Sequence, residues 1–312
     1  MARCGLEAWS KERGFAAMMV LAANAPDIDA YPFFTSQVDY LDIHRGYPHA
    51  LVLAPLIALL PIAIVKGITR TRPTFYSWLC CTLAVLSHLV LDWTNVYGIR
   101  MLLPFSDQWM RLDITGVFDP LIWGILVLCW AVPAMLMLVT STIGSRKSMG
   151  PRRAWAWIAL LGLLTYEGVR WTSHERVRSG LNSLLYMDEP AKNVYVFPET
   201  FGFMRWRGVV EGDQFFYDIP VSASGDFNMR DAKLDYSAGK SRMIDAAKTT
   251  RTFQVFEKFN QVPFWVMSPL VDMTRVELLD LRFGSVARPG LKATAMVESD
   301  GRIQDVSVGF GR

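Results

Sequence analysis

Long apolar runs constrain the fold of this chain more than any other feature of its sequence. Four of them cover residues 50–65, 74–92, 117–143 and 154–171, and a shorter run covers 14–25. A membrane-spanning helix needs about 20 apolar residues, within a range of about 17–25. The second and third runs are long enough, and the first and fourth are marginal. The pattern predicts an α-helical integral membrane domain with about four to five transmembrane helices.

The composition changes near residue 172. The chain is 52% hydrophobic but also 20% charged, which is too apolar for an ordinary soluble protein and too charged for a bundle of spanning helices alone. The charged residues concentrate after residue 172, so we predict two domains, a transmembrane helical domain at 1–172 and a second domain at 173–312. The net charge of +3 gives no reason to expect a nucleic-acid partner.

The second domain reads as a small α+β domain. Short β-branched or aromatic stretches bounded by Gly, Pro or Asp occur at 193–197, 203–210, 214–221, 276–283, 291–297 and 303–310. They predict the strands of an antiparallel sheet. Residues 242–259 predict one helix, and the Ser/Gly-rich stretch 222–240 predicts a loop.

Lysine and arginine in the short loops predict an orientation in the membrane. Three clusters alternate with the acidic and histidine-bearing ends of the runs: Arg3, Lys11 and Arg13; Lys66, Arg70 and Arg72; and Arg146, Lys147, Arg152 and Arg153. Because cytoplasmic loops are enriched in positive charge, we expect these clusters to face the cytoplasm. The opposite ends of the runs and the 173–312 domain then face the extracytoplasmic side.

Carboxylates and imidazoles gather at those opposite ends. The set comprises Asp27, Asp29, His44, His49, His88 and Asp92, and it includes three of the four histidines of the chain. Such groups are costly near lipid, and metal coordination offsets the cost. Imidazole with carboxylate suits zinc or another first-row divalent ion. The sequence predicts a metal site holding one or two divalent ions, with Zn²⁺ preferred.

The spacing within the set differs in strength. His88 and Asp92 are four residues apart, which places them on one face of a helix. The alternative is a buried histidine hydrogen-bonded to an aspartate. Asp27 and Asp29 follow a proline, and in an extended chain they would point the same way and share an ion. The alternative there is a polar cap on a loop.

His44 and His49 are five residues apart, which suits a loop entering a helix rather than one helical face. The alternative is a pair of solvent-exposed loop histidines. Arg45, between them, would neutralise a phosphate or a neighbouring carboxylate.

Several of these motifs resemble a known family. They are Pro-Asp-Ile-Asp at 26–29, His-Arg-x-x-x-His at 44–49, Ser-His-x-x-x-Asp at 87–92, Thr-Asn-x-x-Gly at 94–98 and Leu-Leu-Pro-Phe-Ser at 102–106. The pattern resembles the inner-membrane, metal-dependent hydrolases that include LexA-regulated members, a family placed near the zinc-dependent phospholipase C superfamily. The resemblance covers residues 14–145 closely and the remainder loosely.

The resemblance implies a location in the bacterial inner membrane and a set of functional residues. Metal ligands are implied at Asp27 or Asp29, His44, His49, His88 and Asp92, with supporting roles for Asn95 and for the 98–113 loop, which ends at Asp113. A helix carrying a Thr-His pair usually precedes the segment that matches residues 3–25. The resemblance therefore implies either a further ligand upstream of Met1 or a site with one ligand fewer.

The predicted activity is hydrolysis by a metal-activated water. The sequence has no Gly-x-Ser-x-Gly elbow and no paired Cys/His nucleophile, so a metal site is the simpler mechanism. One of Asp27 and Asp29 would coordinate while the other accepts the water proton, with the assignment open. Arg45 would stabilise an anionic transition state. A site at the membrane boundary reaches a lipid headgroup, so we expect a phospholipase C-like or phosphatase-like enzyme acting on a phosphoester, or another ester, of a lipid or lipid-linked substrate.

The alternative is a non-enzymatic membrane scaffold or ion-handling protein with a structural metal site. A transporter would place its ionisable residues near the bilayer midplane within symmetric halves. Here they lie at the ends of the runs, and the sequence has no internal repeat.

Overall fold

The computed structural model describes residues 12–142, 150–199 and 202–310. Their contacts divide the chain into two compact units. The helical unit consists of the described parts of Met1–Ile28, Arg45–Thr172 and Glu199–Phe203. The sheet unit consists of the described parts of Asp29–His44, Ser173–Pro198 and Met204–Arg312.

Nine helices occur within the described residues. In chain order they are α1 (Phe15–Asn24), α2 (Gln37–Ile43), α3 (Ala54–Ile57), α4 (Leu59–Thr69), α5 (Phe75–Thr94), α6 (Pro120–Thr142), α7 (Gly150–Asn182), α8 (Arg242–Lys248) and α9 (Arg251–Phe259). Short 3₁₀ segments occupy Pro26–Phe34, Tyr47–His49 and Leu51–Leu53. The first two precede the candidate span Leu51–Thr69, and the third forms its beginning.

Two stretches of the described residues are long and apolar enough to cross a membrane. They are Leu51–Thr69, which contains α3 and α4, and Phe75–Thr94, which is α5. The apolar helices Phe15–Asn24 and Pro120–Leu136 are shorter. The expected four to five transmembrane helices are therefore not supported. Of the basic residues used to predict orientation, Arg3, Lys11, Arg146 and Lys147 lie outside the described residues.

Small side chains let the helices of the helical unit approach closely. Helix α5 packs against α1, α3 and α4. Its buried contact surface with them contains several small residues, which are Ala22, Ala54, Ala58, Cys80, Cys81 and Ala84. Small residues at helix contacts are typical of packing within membranes, because they let backbones come together where lipid gives no hydrophobic driving force.

Polar groups fix the start of α5. Thr74 is its N-cap, and its hydroxyl accepts a hydrogen bond from the Ser77 backbone amide at 3.2 Å. Glu12 accepts from the Thr74 amide at 2.9 Å and from the Ser77 hydroxyl at 2.6 Å. These acceptors satisfy amides that the first turn of a helix leaves unpaired. The start of α5 is thereby set, and with it the position of its last two turns.

The loop after α5 folds back on the same end of the helix. Ile99 and Met110 exchange two backbone hydrogen bonds of 2.9 Å, and the Leu51 amide donates to the Met101 carbonyl at 3.0 Å. Because Leu51 begins one candidate span and α5 is the other, this loop ties together the ends of both.

Ten strands lie within the described residues of the sheet unit and its boundary. They are β1 (Leu185–Tyr186), β2 (Glu189–Pro190), β3 (Asn193–Glu199), β4 (Gly202–Glu211), β5 (Phe215–Ser222), β6 (Lys233–Tyr236), β7 (Pro263–Pro269), β8 (Met273–Asp280), β9 (Leu291–Glu298) and β10 (Ile303–Phe310). They form one two-stranded pair and two four-stranded sheets, ordered β3-β4-β5-β6 and β10-β9-β8-β7. The second sheet is antiparallel throughout, as are the pairs β4–β5 and β5–β6. The prediction of an antiparallel-sheet domain after the helical region is confirmed.

Local details of the sheet unit differ from the sequence prediction. The predicted single helix at 242–259 is two helices, because the Thr250 hydroxyl caps a new helix by accepting from the Phe253 amide. The predicted loop at 222–240 contains strand β6. Strand β7 was not predicted, since it begins and ends with proline, a residue confined to edge positions in sheets. It does lie at a sheet edge.

Candidate metal centre

Four donor side chains converge at one end of the candidate spans. Asp27, His49, His88 and Asp92 each offer one ligand atom, and these atoms all lie within 4.8 Å of one another. Helix α5 supplies His88 and Asp92 from its last two turns. The 3₁₀ turn Tyr47–His49 supplies His49, and the 3₁₀ segment Pro26–Phe34 supplies Asp27.

The distances between donors are those of a coordination shell. Asp27 Oδ1 lies 3.5 Å from the Nε2 atoms of both His49 and His88. Asp92 Oδ2 lies 3.4 Å from His49 Nε2 and 3.3 Å from His88 Nε2. An ordinary N–H···O hydrogen bond spans about 2.7–3.2 Å. Four ligands bonded to zinc at about 2.0–2.1 Å in a tetrahedron lie about 3.3–3.4 Å apart. The donor set therefore fits a divalent ion better than it fits mutual hydrogen bonds.

Burial sharpens this fit. The side chains of His49, His88 and Asp92 are only 0%, 16% and 12% exposed, whereas that of Asp27 is 47% exposed. His88 Nε2 and Asp92 Oδ2 are buried and have no hydrogen-bond partner among the described residues. A buried polar atom without a partner is costly, and a shared cation at this point would satisfy both atoms.

The pKa of Asp27 favours the charged form of its carboxyl group. Burial, the largest single effect, raises its pKa, but the imidazoles of His49 and His88 together lower it well below the ordinary value. Asp27 is therefore a carboxylate at neutral pH, the form that binds cations.

Asp29 and His44, the other two predicted ligands, are not members of the four-residue group. Both belong to the sheet unit. There His44 Nδ1 lies 2.8 Å from Asp29 Oδ1, both side chains are buried, and the His44 ring stacks on Tyr40 at 4.7 Å. These two residues form an imidazole–carboxylate pair of their own.

The local conformation explains why the two aspartates separate. Asp27 and Asp29 were expected in extended chain, where residues two apart point the same way. Residues Pro26–Phe34 instead form a 3₁₀ helix. With three residues per turn, side chains two positions apart point in different directions. The expectation of an extended segment is wrong, and only Asp27 contributes to the four-residue group.

Arg45, the predicted transition-state residue, contacts Asp92, one of the four donor residues. Its Nη2 lies 2.8 Å from Asp92 Oδ1, and its Nη1 donates to Asn95 Oδ1 and to the Gly98 carbonyl, each at 3.0 Å. The guanidinium lies over the Tyr97 ring, 4.4 Å from its centroid. Of the two roles that the sequence allowed for Arg45, a phosphate or a neighbouring carboxylate, the geometry favours the carboxylate. No sequence pattern indicated the contact between Arg45 and Tyr97.

The two predicted supporting residues lie in the loop after α5. Asn95 accepts from the Tyr97 amide at 2.9 Å in addition to its contact with Arg45. Asp113 binds Arg111, whose Nη1 lies 2.7 and 2.8 Å from its two carboxylate oxygens. Asn95 thus contacts Arg45, which pairs with the donor Asp92, whereas Asp113 pairs with Arg111 in the returning part of the loop.

A buried carboxylate, that of Glu167, lies outside this group. Both oxygens of Glu167, on α7, are shielded from solvent and have no hydrogen-bond partner at normal geometry within the described residues. The Thr94 hydroxyl, which lies near Glu167, donates its proton to the Leu91 carbonyl at 2.8 Å instead. Asp119 nearby caps α6 and accepts from the Tyr166 hydroxyl at 2.7 Å.

The helical unit with its acidic and histidine cluster defines a class of membrane-associated protein with a candidate metal centre. Residues 3–177, more than half of the chain, match the family described as YdjM inner membrane protein. The chain belongs to this family, which supports a location in the bacterial inner membrane.

Two relatives are similar to this chain. The first is the Bacillus subtilis (strain 168) protein named "Uncharacterized protein YfhP", 25% identical over 263 residues that cover 84% of this chain and 75% of the relative. The second is the Escherichia coli (strain K12) protein named "Inner membrane protein YbcI", 34% identical over 93 residues that cover 28% of this chain and 53% of the relative. No solved structure matches the chain.

Proposed function

We propose that this protein is a membrane-bound, metal-dependent hydrolase that cleaves a phosphoester, or another ester, of a lipid or lipid-linked substrate. One observation carries the proposal. The four distances between the imidazole nitrogens of His49 and His88 and the carboxylate oxygens of Asp27 and Asp92 are those of a tetrahedral ligand shell, and all four atoms lie within 4.8 Å of one another. The donor set suits a single Zn²⁺ or another first-row divalent ion.

The position of the four donors supports a lipid-linked substrate. His88 and Asp92 lie near the end of a candidate span, where a side chain reaches the membrane–water boundary. Large apolar side chains next to the donors are exposed, namely Ile28 beside Asp27 and Tyr47 two residues before His49. Amphipathic aromatic residues are favoured at the level of lipid headgroups. A substrate held in the membrane would present its headgroup at this level.

The chemistry divides between the ion and the chain. A bound divalent ion that accepted a water molecule as a ligand beyond the four donors would lower the pKa of that water and polarise the phosphoryl or acyl oxygen. Asp27 faces the two histidines through Oδ1, and its side chain is the exposed one of the four. We therefore assign Asp27 Oδ2 to accept the proton of the attacking water. This assignment replaces Asp29, whose carboxylate is paired with His44.

We further propose that both candidate spans cross the inner membrane and that the four donors face the extracytoplasmic side. Lys66 lies in the last turn of α4, and Arg70 and Arg72 follow that helix, so all three are at the end of this span opposite to His49. The positive-inside rule favours the cytoplasm for this end of the span. The donors then lie at the other membrane face, and the sheet unit is proposed to lie on that side too.

Metal content tests the proposal. The full-length protein, purified in detergent with Zn²⁺, should contain about one divalent ion per chain by elemental analysis, as expected for one tetrahedral shell. His88→Gln should lose most of that metal. His44→Gln is the matched control and should keep it, because His44 is paired with Asp29 outside the four-residue group. A wild-type protein without stoichiometric metal would overturn the proposal.

Activity is tested with the same protein. Phospholipid vesicles and a soluble chromogenic phosphodiester would be incubated with the metal-loaded enzyme. Asp27→Asn should retain metal binding in part and lose hydrolysis by about 10²-fold or more, the size expected for loss of a general base. Equal hydrolysis by wild type and Asp27→Asn would contradict the role of Asp27.

A membrane scaffold with a structural metal site is the second candidate. The observation that favours it is the number of donors, since four protein ligands fill a tetrahedral shell as they do in structural zinc sites. In that case a chelator would lower the unfolding temperature, His88→Gln would do the same, and no hydrolysis would appear with any of the substrates above.

A further inference from the structure

The Arg45 side chain is enclosed by contacts with Asp92 and with residues close to Asp92. Its side chain is 8% exposed, and both terminal nitrogens are engaged, Nη2 with Asp92 Oδ1 at 2.8 Å and Nη1 with Asn95 Oδ1 and the Gly98 carbonyl at 3.0 Å each. The Tyr97 ring covers one face of the guanidinium. A guanidinium enclosed in this way does not face a substrate.

The two oxygens of Asp92 consequently have different partners. Oδ1 faces Arg45, and it also accepts from Asn95 Nδ2 at 3.4 Å. Oδ2 faces His49 and His88 and has no hydrogen-bond partner among the described residues. Only one oxygen of this carboxylate is thus directed toward the other donors.

The backbone at Arg45 is consistent with a demanding placement. Its φ is 58°, in the left-handed region that a bulky residue adopts at a cost. Such a conformation persists where surrounding contacts determine it, and it is common at functional sites. Here the contacts are those with Asp92, Asn95 and Gly98.

We propose that Arg45 is a positioning residue of the metal centre, which holds Asp92 through Oδ1 so that Oδ2 alone binds the ion. The inference rests on the proposed metal site. It makes Asp92 a monodentate ligand that is oriented before the ion arrives. Outer partners of metal ligands act in this manner, and their loss typically costs 10–100-fold in metal affinity.

Two effects of removing Arg45 oppose each other, and the experiment separates them. Loss of the positive charge would strengthen the attraction between Asp92 and a cation. Loss of the anchor would leave Oδ1 with only the long Asn95 contact of 3.4 Å and free the carboxylate to rotate or to bind through both oxygens. The proposal states that the second effect prevails.

The test is Co²⁺ binding to full-length protein in detergent, followed by the visible absorption of the bound ion. Arg45→Gln should bind Co²⁺ about 10–100-fold more weakly, and the intense absorption of four-coordinate Co²⁺ should fall toward the weaker spectrum of higher coordination. A purely structural role would leave that spectrum unchanged. Co²⁺ affinity within about 2-fold of wild type, or tighter, would overturn the inference.

Arg100→Gln is the matched control. Arg100 also lies over an aromatic ring, that of Trp109 at 5.0 Å, and pairs with a carboxylate, that of Asp107 at 3.3 Å. Neither partner belongs to the four-residue group. The control should keep wild-type Co²⁺ affinity.

Two more variants keep the inference falsifiable if Arg45→Gln does not accumulate. Arg45→Gly relaxes the backbone, because glycine accepts positive φ freely, and added guanidinium ion should restore its Co²⁺ affinity and spectrum. Arg45→Lys keeps a positive charge, but a single ammonium group cannot contact Asp92 and also Asn95 and Gly98 as the two terminal nitrogens of Arg45 do. This variant should also bind Co²⁺ more weakly than wild type. Unchanged affinity in Arg45→Lys would overturn the inference, whereas absence of Co²⁺ binding in wild type would overturn the proposed function itself.

Discussion

At the scale of single residues, neighbours in the sequence separate into different roles. Asp27 joins the four-donor group while Asp29 pairs with His44, and His49 joins it while His44 does not. The positions of Asp27 and His49 depend on short 3₁₀ segments that no sequence pattern predicted. His88 and Asp92 were readable, because a spacing of four on a long helix fixes a shared face. Regular helix makes ligands predictable, and irregular turns do not.

Glu167 supports a prediction about pH. Burial, and then the charge of Asp119, raise its pKa from the ordinary 4.5 to about 7, against the opposing effect of Arg170. The folded state therefore holds this proton more tightly than the unfolded state, so stability falls as the pH rises from about 4.5 to about 7. Glu167→Gln removes the charge and keeps the shape.

We expect the unfolding temperature of Glu167→Gln in detergent to exceed that of wild type at pH 8, with a much smaller difference at pH 5. Glu175→Gln, a half-exposed glutamate on the same helix, controls for loss of a carboxylate. A difference between Glu167→Gln and wild type that stays constant across this pH range would contradict the assignment.

At the scale of elements, short β-branched or aromatic stretches bounded by Gly, Pro or Asp were sufficient to predict most strands of the sheet unit. The strands expected near 193–197, 291–297 and 303–310 are observed as β3, β9 and β10. Burial of every second residue in β9 explains why its pattern was readable. Strand β7 and the break before α9 could not be read, because proline and threonine signal turns locally and tertiary contacts override them.

One glycine between β8 and β9 tests this packing. A Cβ added at Gly290 would clash with the carbonyl oxygen of Phe283, a backbone atom rather than the end of a flexible side chain. Gly290→Ala should therefore lower the free energy of unfolding by about 2 kcal/mol or more, as substitutions that force backbone movement do.

Gly239→Ala is the comparison, since a Cβ there meets nothing within 4 Å. Thermal unfolding of both variants, followed by circular dichroism in detergent, measures the difference. Equal stability of the two variants would show that the backbone near Phe283 yields at little cost.

At the scale of the whole molecule, composition predicted a helical region followed by an antiparallel-sheet region, and both are observed. The expected number of spans is not supported, since among the described residues two stretches meet the length and hydropathy requirement. An apolar run in the sequence indicates hydrophobicity, but it does not indicate where the helix that contains it begins or ends. Helix α1 has 10 residues and is partly buried in the core of the helical unit, so its hydrophobicity serves packing.

Orientation is testable with fusions to the whole chain. Alkaline phosphatase, which is active only outside the cytoplasm, should be active when fused after residue 310 and inactive when fused after Arg72. Basic residues between the two candidate spans favour the cytoplasm for Arg72. The opposite pattern of activities would reverse the proposed orientation and move the donors to the cytoplasmic face.

The uneven exposure of the four donors has a kinetic consequence. Three are largely buried, and Asp27 is 47% exposed, so an ion would arrive and depart past this one carboxylate. Loading would then not require the chain to unfold, and a chelator would strip the ion by the same route. The protein's metal occupancy would follow the free-ion level of the compartment that Asp27 faces.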